Sequence, residues 1–235
     1  MEKVDKPVAI VTASSSGIGA TIAKTLHDRG YSLALFASSE RVESVAKPFD
    51  ALAVRGSLDR REDLERLTDA TLERYGRIDA LVNNSARPTS GDVLSISDSD
   101  WLFEFQMQFM NAVRMTQLVL PQLRTRKGSI VNISAYTARE PDQRYVVGGV
   151  MRAALLNFMK LAAEKEAPSG VRINNLLVGF VDNYPEIESI VSAIPMGRYA
   201  RIAEIANTVA FLLSADAGYI TGTSIAIDGG LSRAV

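Results

Sequence analysis

Between Thr12 and Gly19 the chain reads Thr-Ala-Ser-Ser-Ser-Gly-Ile-Gly, placed between an apolar run and the start of an amphipathic one. Backbone N–H groups at a helix N-terminus, reinforced by the helix dipole, make an anion site, and glycines let a pyrophosphate approach the main chain. Thr12, Ser15, Ser16, Gly17, Ile18 and Gly19 are therefore read as a phosphate-binding turn, the serine hydroxyls acting as extra donors or as a helix cap. At the end of the next apolar run Ala37, Ser38 and Ser39 are uncharged, and Arg41 follows. A carboxylate there would accept hydrogen bonds from an adenosine ribose and repel a 2′-phosphate, so this end favours NADP over NAD. The alternative is that Ser38 and Ser39 only cap the following helix. With no cysteine, a thiolate metal site, a disulfide and a cysteine nucleophile are excluded, and no metal site is predicted. The one histidine, His27, lies in KTLHDRG on the first helix and is read as a surface residue away from any cleft.

The elements that position these residues follow from periodicity. Short apolar strand-like runs alternate with amphipathic helix patterns, the pattern of a parallel sheet covered by helices on both faces. Strands are predicted at Val8–Thr12, Ser32–Ala37, Leu52–Arg55, Ala80–Asn83, Ser129–Ser134, Arg172–Val178 and Ser224–Ile227. Right-handed crossovers give a doubly wound, Rossmann-type α/β order. The chain has 235 residues, 47% hydrophobic and 23% charged, enough for one well-buried domain over residues 1–235. The charged run Asp59–Arg66 reads as the solvated start of a helix. A net charge of -1 without a basic tract predicts neither nucleic-acid nor anionic-membrane binding. The stretch MEKVDKP has no signal-like apolar core, and no apolar run approaches a membrane span, so a cytoplasmic location is expected.

Four ordered segments, Thr12–Gly19, LVNNSA at Leu81–Ala86, VRINNLLVGFVDN at Val171–Asn183 and the closing GYITGTSIAIDGG, together resemble the short-chain dehydrogenase/reductase family. The resemblance implies a dinucleotide groove in which Ser57 and Leu58 stand where the family sets an Asp-Val pair against adenine. Asn83 braces the central sheet and Asn84 lies near the adenosine, while Ser85 and Ala86 replace an Ala-Gly pair. Val181 is assigned to the same groove. Ala13 stands at the family's first glycine, and if its φ is positive it costs about 1 kcal/mol.

The same resemblance locates the proton relay, whose usual residues are absent. The family's Tyr-x-x-x-Lys falls on Gly148 and Arg152, its serine on Ala135 and its asparagine on Gln108, with Asn111 one turn too late. A register slip of one brings in Ser134 but no Tyr-x-x-x-Lys pair. Glycine has no proton to give, alanine cannot hold a carbonyl oxygen, and arginine keeps its charge near neutral pH. Tyr145, one turn before Gly148, is the candidate substitute donor, reaching the space left by the missing phenol. Arg152 is the candidate anchor for the nicotinamide ribose or an anionic substrate, while Tyr136, Asp182 and Tyr184 are read as wall or lid residues. Two classes of function follow: an enzyme, either an NADP-binding oxidoreductase with a displaced acid or a cofactor-assisted non-redox catalyst in the enlarged pocket, or a catalytically silent scaffold that binds cofactor or a partner subunit. The helices containing Trp101–Leu123 and Met151–Glu166, with Phe105, Phe109, Leu155 and Phe158, suit either core packing or the seam of a homodimer or homotetramer.

Overall fold

The computed structural model describes residues 6–233; the first five residues of the MEKVDKP stretch lie outside the described residues. Seven strands form: β1 Val8–Thr12, β2 Ser32–Ala37, β3 Leu52–Arg55, β4 Ala80–Asn83, β5 Ser129–Ala135, β6 Arg172–Val178 and β7 Ser224–Ile227. They pair in the order β3-β2-β1-β4-β5-β6-β7, all parallel. The sheet is the predicted one, with β5 longer by one residue. The helices are α1 Gly17–Asp28, α2 Arg41–Ala46, α3 Arg61–Tyr75, α4 Asp98–Glu104, α5 Asn111–Arg126, α6 Val146–Glu166, α7 Glu188–Val191 and α8 Ile202–Leu213. A π-helical turn, Phe105–Met110, joins α4 to α5.

Alternate residues of each buried strand feed two core layers. Val11, Leu35, Val82 and Ile133 pack with Ile22 and Leu26 of α1 and Val209 and Leu212 of α8. Ile10, Phe36, Leu81 and Ile130 pack on the other face with Leu67 of α3, Met115 and Val119 of α5, and Leu155 and Met159 of α6. Each such side chain taken fully out of water contributes about 1.5–3 kcal/mol. The segment Gln143–Ser169, α6 with its flanking turns, is long and apolar enough to cross a membrane, contrary to the expectation that nothing approaches that length. Its inner residues Leu155, Met159 and Ala163 nevertheless pack on the sheet.

Polar residues also lie inside this sheet, in register. Asn83 Nδ2 donates to Asn132 Oδ1 at 2.8 Å, Asn132 Nδ2 to Asn175 Oδ1 at 3.0 Å, and Asn175 Nδ2 to Ser224 Oγ at 3.1 Å. The pairs Asn83–Asn132, Asn132–Asn175 and Asn175–Ser224 are directly opposed across β4, β5, β6 and β7. The bracing expected of Asn83 is thus one rung of a four-strand ladder.

Asn132 is fully buried and sits at the middle of it. Asn132→Ala strands both neighbours and leaves a void, so it is expected to lower stability by roughly 2–4 kcal/mol. Urea unfolding followed by circular dichroism measures the loss, and a variant as stable as the parent shows that the ladder contributes little.

Candidate functional site

The first crossover shapes one end of a cleft at the carboxyl edge of the sheet. Ala13 has φ +46° and Gly17 φ +54°, so the turn after β1 takes two left-handed positions, one occupied by alanine. The positive φ at Ala13 is the condition under which an added methyl costs about 1 kcal/mol. A Cβ on Gly19 would lie 2.3 Å from Ala13 O, so only glycine lets α1 start this close to the turn. The three serines divide. Ser14 is buried and exchanges hydrogen bonds with the Phe36 main chain, extending the strand pairing. Ser16 is the N-cap of α1 yet its side chain makes no capping bond, so its hydroxyl is free for a ligand, as a phosphate turn requires. Thr12 is buried and locks the turn to β4, donating to Asn84 O at 2.6 Å and accepting from Asn84 N at 2.9 Å.

Next along the cleft come Ala37 and Ser38, then Gly56, Ser57 and Leu58. Ser39 is not on the wall; its Oγ accepts from Arg41 N at 3.3 Å, the capping role weighed for it. Arg55, which sequence reading passed over, brings its guanidinium to this end by donating through Nε to Ser38 O at 3.0 Å. Asp63 accepts the Ser57 N–H at 2.9 Å and Arg66 Nη1 at 2.6 Å, and the Ser57 bond is the main reason its carboxyl is held below its ordinary pKa. The charged run is therefore not wholly solvated: Asp63 is buried and pins the Ser57 loop.

The far end is built by the loop after β4, the start of α6 and the segment after β6. Gln108, placed by the π-helical turn, is buried and fully engaged. It accepts from Ser85 Oγ at 2.7 Å and donates to Ala86 O at 3.0 Å and Glu104 Oε2 at 3.1 Å. Glu104 Oε1 in turn accepts from Thr89 N and Thr89 Oγ1, both at 2.7 Å. Gln108 does not line the cleft; it and Glu104 staple the loop on both sides of Arg87 and Pro88.

That staple decides what stands beside Gly148. A Cβ on Gly148 would lie 2.5 Å from Pro88 Cγ, so a buried proline fills the space next to Gly148. The hole that Tyr145 was expected to enter is taken. Tyr145 instead caps α6 and lines the cleft, its ring 6.2 Å from Phe180, with Arg87 5.9 Å and Arg144 5.8 Å from its centre. Ala135 and Ser134 both line the cleft, and the Ser134 hydroxyl is buried with no protein partner.

The remaining walls are aromatic. Tyr136 donates to Asp142 Oδ2 at 2.6 Å, and Arg144 holds that carboxylate down at about 2. Burial, then the Asp142 hydrogen bond, push the Tyr136 phenol well above its usual value. Phe180 stacks on Tyr199 at 5.4 Å, and Tyr184 sits under Arg87 at 5.5 Å. Val181 is on the wall, whereas Asp182 turns away and caps α8, accepting from Ile202 N at 3.0 Å. Asn183, whose amide lies 3.4 Å from where a Gly17 Cβ would stand, closes the nucleotide turn from the opposite side; its place in the Val171–Asn183 segment was the signal for it. Arg152 projects into the cleft. Burial lowers its pKa to about 10, an effect Glu104 partly offsets, so it stays charged at neutral pH. His27 is elsewhere, its ring tilted against Phe49 with the centres 4.9 Å apart.

The family model for enoyl-(acyl carrier protein) reductase matches residues 12–232. The chain is a short-chain dehydrogenase/reductase. It is 32% identical to an uncharacterized oxidoreductase of Bacillus subtilis, YmfI, over 94% of this chain and 97% of that one. It is 30% identical to the 3-oxoacyl-[acyl-carrier-protein] reductase FabG of Staphylococcus aureus over 95% of this chain and 97% of that one. Among solved structures it resembles L-sorbose reductase from Gluconobacter frateurii, complexed with NADPH and L-sorbose, with a TM-score of 0.91 and 26% identity over 99% of each chain. This short-chain dehydrogenase/reductase therefore has the family's Rossmann-type fold.

The Pro88–Gly148 contact is testable without cofactor. Gly148→Ala is expected to destabilise the protein by about 1–3 kcal/mol, the usual cost of overpacking, although alanine is the better helix former. Adding Pro88→Ala recovers most of that loss in a thermal-melt double-mutant cycle, and additive effects would mean that the two residues do not press on each other.

Proposed function

We propose that this chain binds NADPH along the cleft in preference to NADH, lacks the ordinary Ser-Tyr-Lys carbonyl reduction, and uses Tyr145 as its proton donor. The reading rests on one observation: a continuous wall runs from the free Ser16 hydroxyl and Gly17, past the uncharged Ser38 with Arg55 on its carbonyl, to Tyr145 and Arg152. Ser15, Ser16 and the amides of Gly17 and Ile18 hold the pyrophosphate. Ser38, Arg41 and Arg55 meet the 2′-phosphate, Ser57 and Leu58 meet adenine, and Asn84 with Ala86 lie along the ribose. When bound, the cofactor supplies or accepts a hydride at its nicotinamide ring. The NADPH seen with L-sorbose reductase, a structural relative, agrees with this reading.

Four tyrosines line the cleft, and their environments separate them. Tyr136 is committed to Asp142, and Tyr199 accepts a hydrogen bond from Ile187 N at 3.2 Å. Tyr184 is 50% exposed at the rim. Tyr145 is more enclosed, its hydroxyl makes no hydrogen bond among the described residues, and it opens the helix that carries Gly148 and Arg152. Arg152 cannot release a proton near neutral pH, so its part is binding.

Calorimetric titration should show NADPH binding about tenfold or more tighter than NADH, a preference that shrinks in Arg55→Gln. Equal affinities, or no saturation by millimolar NADPH, would reject this assignment.

With a substrate in hand, Tyr145→Phe is expected to lower kcat by roughly a hundredfold. Installing the ordinary relay through Gly148→Tyr, Ala135→Ser and Arg152→Lys should leave simple ketones unreduced while Pro88 remains, and adding Pro88→Gly should bring turnover up. Robust ketone reduction by the unaltered protein that survives Tyr145→Phe counts against the role given to Tyr145.

A further inference from the structure

Among the described residues, the cleft wall carries two charged side chains, Arg87 and Arg152, and no carboxylate. Neither arginine makes a hydrogen bond or an ion pair among the described residues. The nearby cations and anions are otherwise spoken for: Arg144 is paired with Asp142 at 2.6 Å, and Glu104 spends its oxygens on Thr89 and Gln108. Glu104 is close enough to act on Arg152 through space but too far for an ion pair. A guanidinium has five donors in a planar fork, and taking it out of water without acceptors is costly. Its geometry matches an oxyanion with two coplanar oxygens.

Both arginines are also fixed beside the emptied relay position. Arg87 precedes Pro88, which packs on Gly148, and Arg152 is one helical turn beyond Gly148. The surfaces around them are flat and apolar: Arg87 lies over Tyr145 and Tyr184, and Tyr145 meets Phe180. We infer that this end of the cleft takes a small carboxylic acid with a planar or apolar body, its carboxylate held by Arg152, with Arg87 closing the rim over the Tyr145, Phe180 and Tyr184 rings. The inference rests on the cofactor reading above, in that it assigns the pyrophosphate and adenosine to the other end. It also gives the Gly148 and Arg152 changes one sense: a proton donor has been exchanged for an anion receptor.

The test is binding, not turnover. NADP+ affinity is measured first by calorimetry; then, with NADP+ saturating, the protein is titrated with phenylacetate, phenylacetamide and phenyl phosphate. Phenylacetate is expected to bind at least about tenfold tighter than its neutral amide, which lacks the charge–charge attraction. Arg152→Gln should erase that difference. Arg87→Gln, at an exposed position that leaves the fold intact, should reduce it several-fold. An amide that binds as well as the acid, or no saturation by millimolar acid while NADP+ binds normally, overturns the inference. Phenyl phosphate binding more tightly than phenylacetate overturns the carboxylate assignment in favour of a phosphate ester. Failure of NADP+ itself to bind counts against the cofactor reading instead, and the acid titration on the free protein then decides the receptor separately.

Discussion

A parallel sheet covered on both faces has no water with which to satisfy polar side chains, so amides inside it are tolerated only if they satisfy one another. The ladder Asn83–Asn132–Asn175–Ser224 links such amides across four strands, and Asn83 Oδ1, at its end, is left without a partner among the described residues. Because each rung joins directly opposed residues, a slip of any strand by one position would turn an amide into the opposite, apolar layer. The ladder therefore fixes the relative heights of β4, β5 and β6. The three segments that build the far end of the cleft leave from those strands: the Ser85–Thr89 loop, the turns leading to α6, and Phe180–Tyr184.

Above the ladder the site is held by charge and hydrogen bonds drawn from outside it. Asp63 pins the Ser57 loop, Glu104 and Gln108 pin the loop bearing Arg87 and Pro88, and Asp142 orients Tyr136 and Arg144. Each anchor is a side chain that makes two or more hydrogen bonds, which fixes a loop more firmly than one contact does. Among the described residues the cleft is left with guanidinium groups and a phenol that make no hydrogen bond, the features of a surface prepared to bind.

The strands were legible because buried parallel strands read as unbroken apolar runs, and the nucleotide turn because its glycines and serines precede a helix. Gly148 and Arg152 were singled out by spacing alone. What Gly148 faces was not legible, since Pro88 is sixty positions away and joins it only through the Glu104–Gln108 staple. Charge runs misled for a related reason: Asp63 looks like its neighbours in sequence, and only the fold turns it inward to Ser57. Arg55 and Arg87 gave no signal, because an isolated arginine acquires a role only from the carbonyl or ring it is brought to.

The π-helical turn at Phe105–Met110 bears on how this chain tolerates length change. Such a turn amounts to one residue inserted into an α-helix, and each residue of an α-helix advances the side-chain direction by about 100°. Loss of a single residue there would yield a smoother helix, yet it would swing Glu104 away from Thr89 while Gln108 stayed with α5. The carboxylate and the amide would then face different neighbours, and the loop between β4 and α4 would be free to lift from α6. The residue count of this segment therefore matters more than the identity of its half-buried residues, because its irregularity sets the angle between the two halves of one clamp.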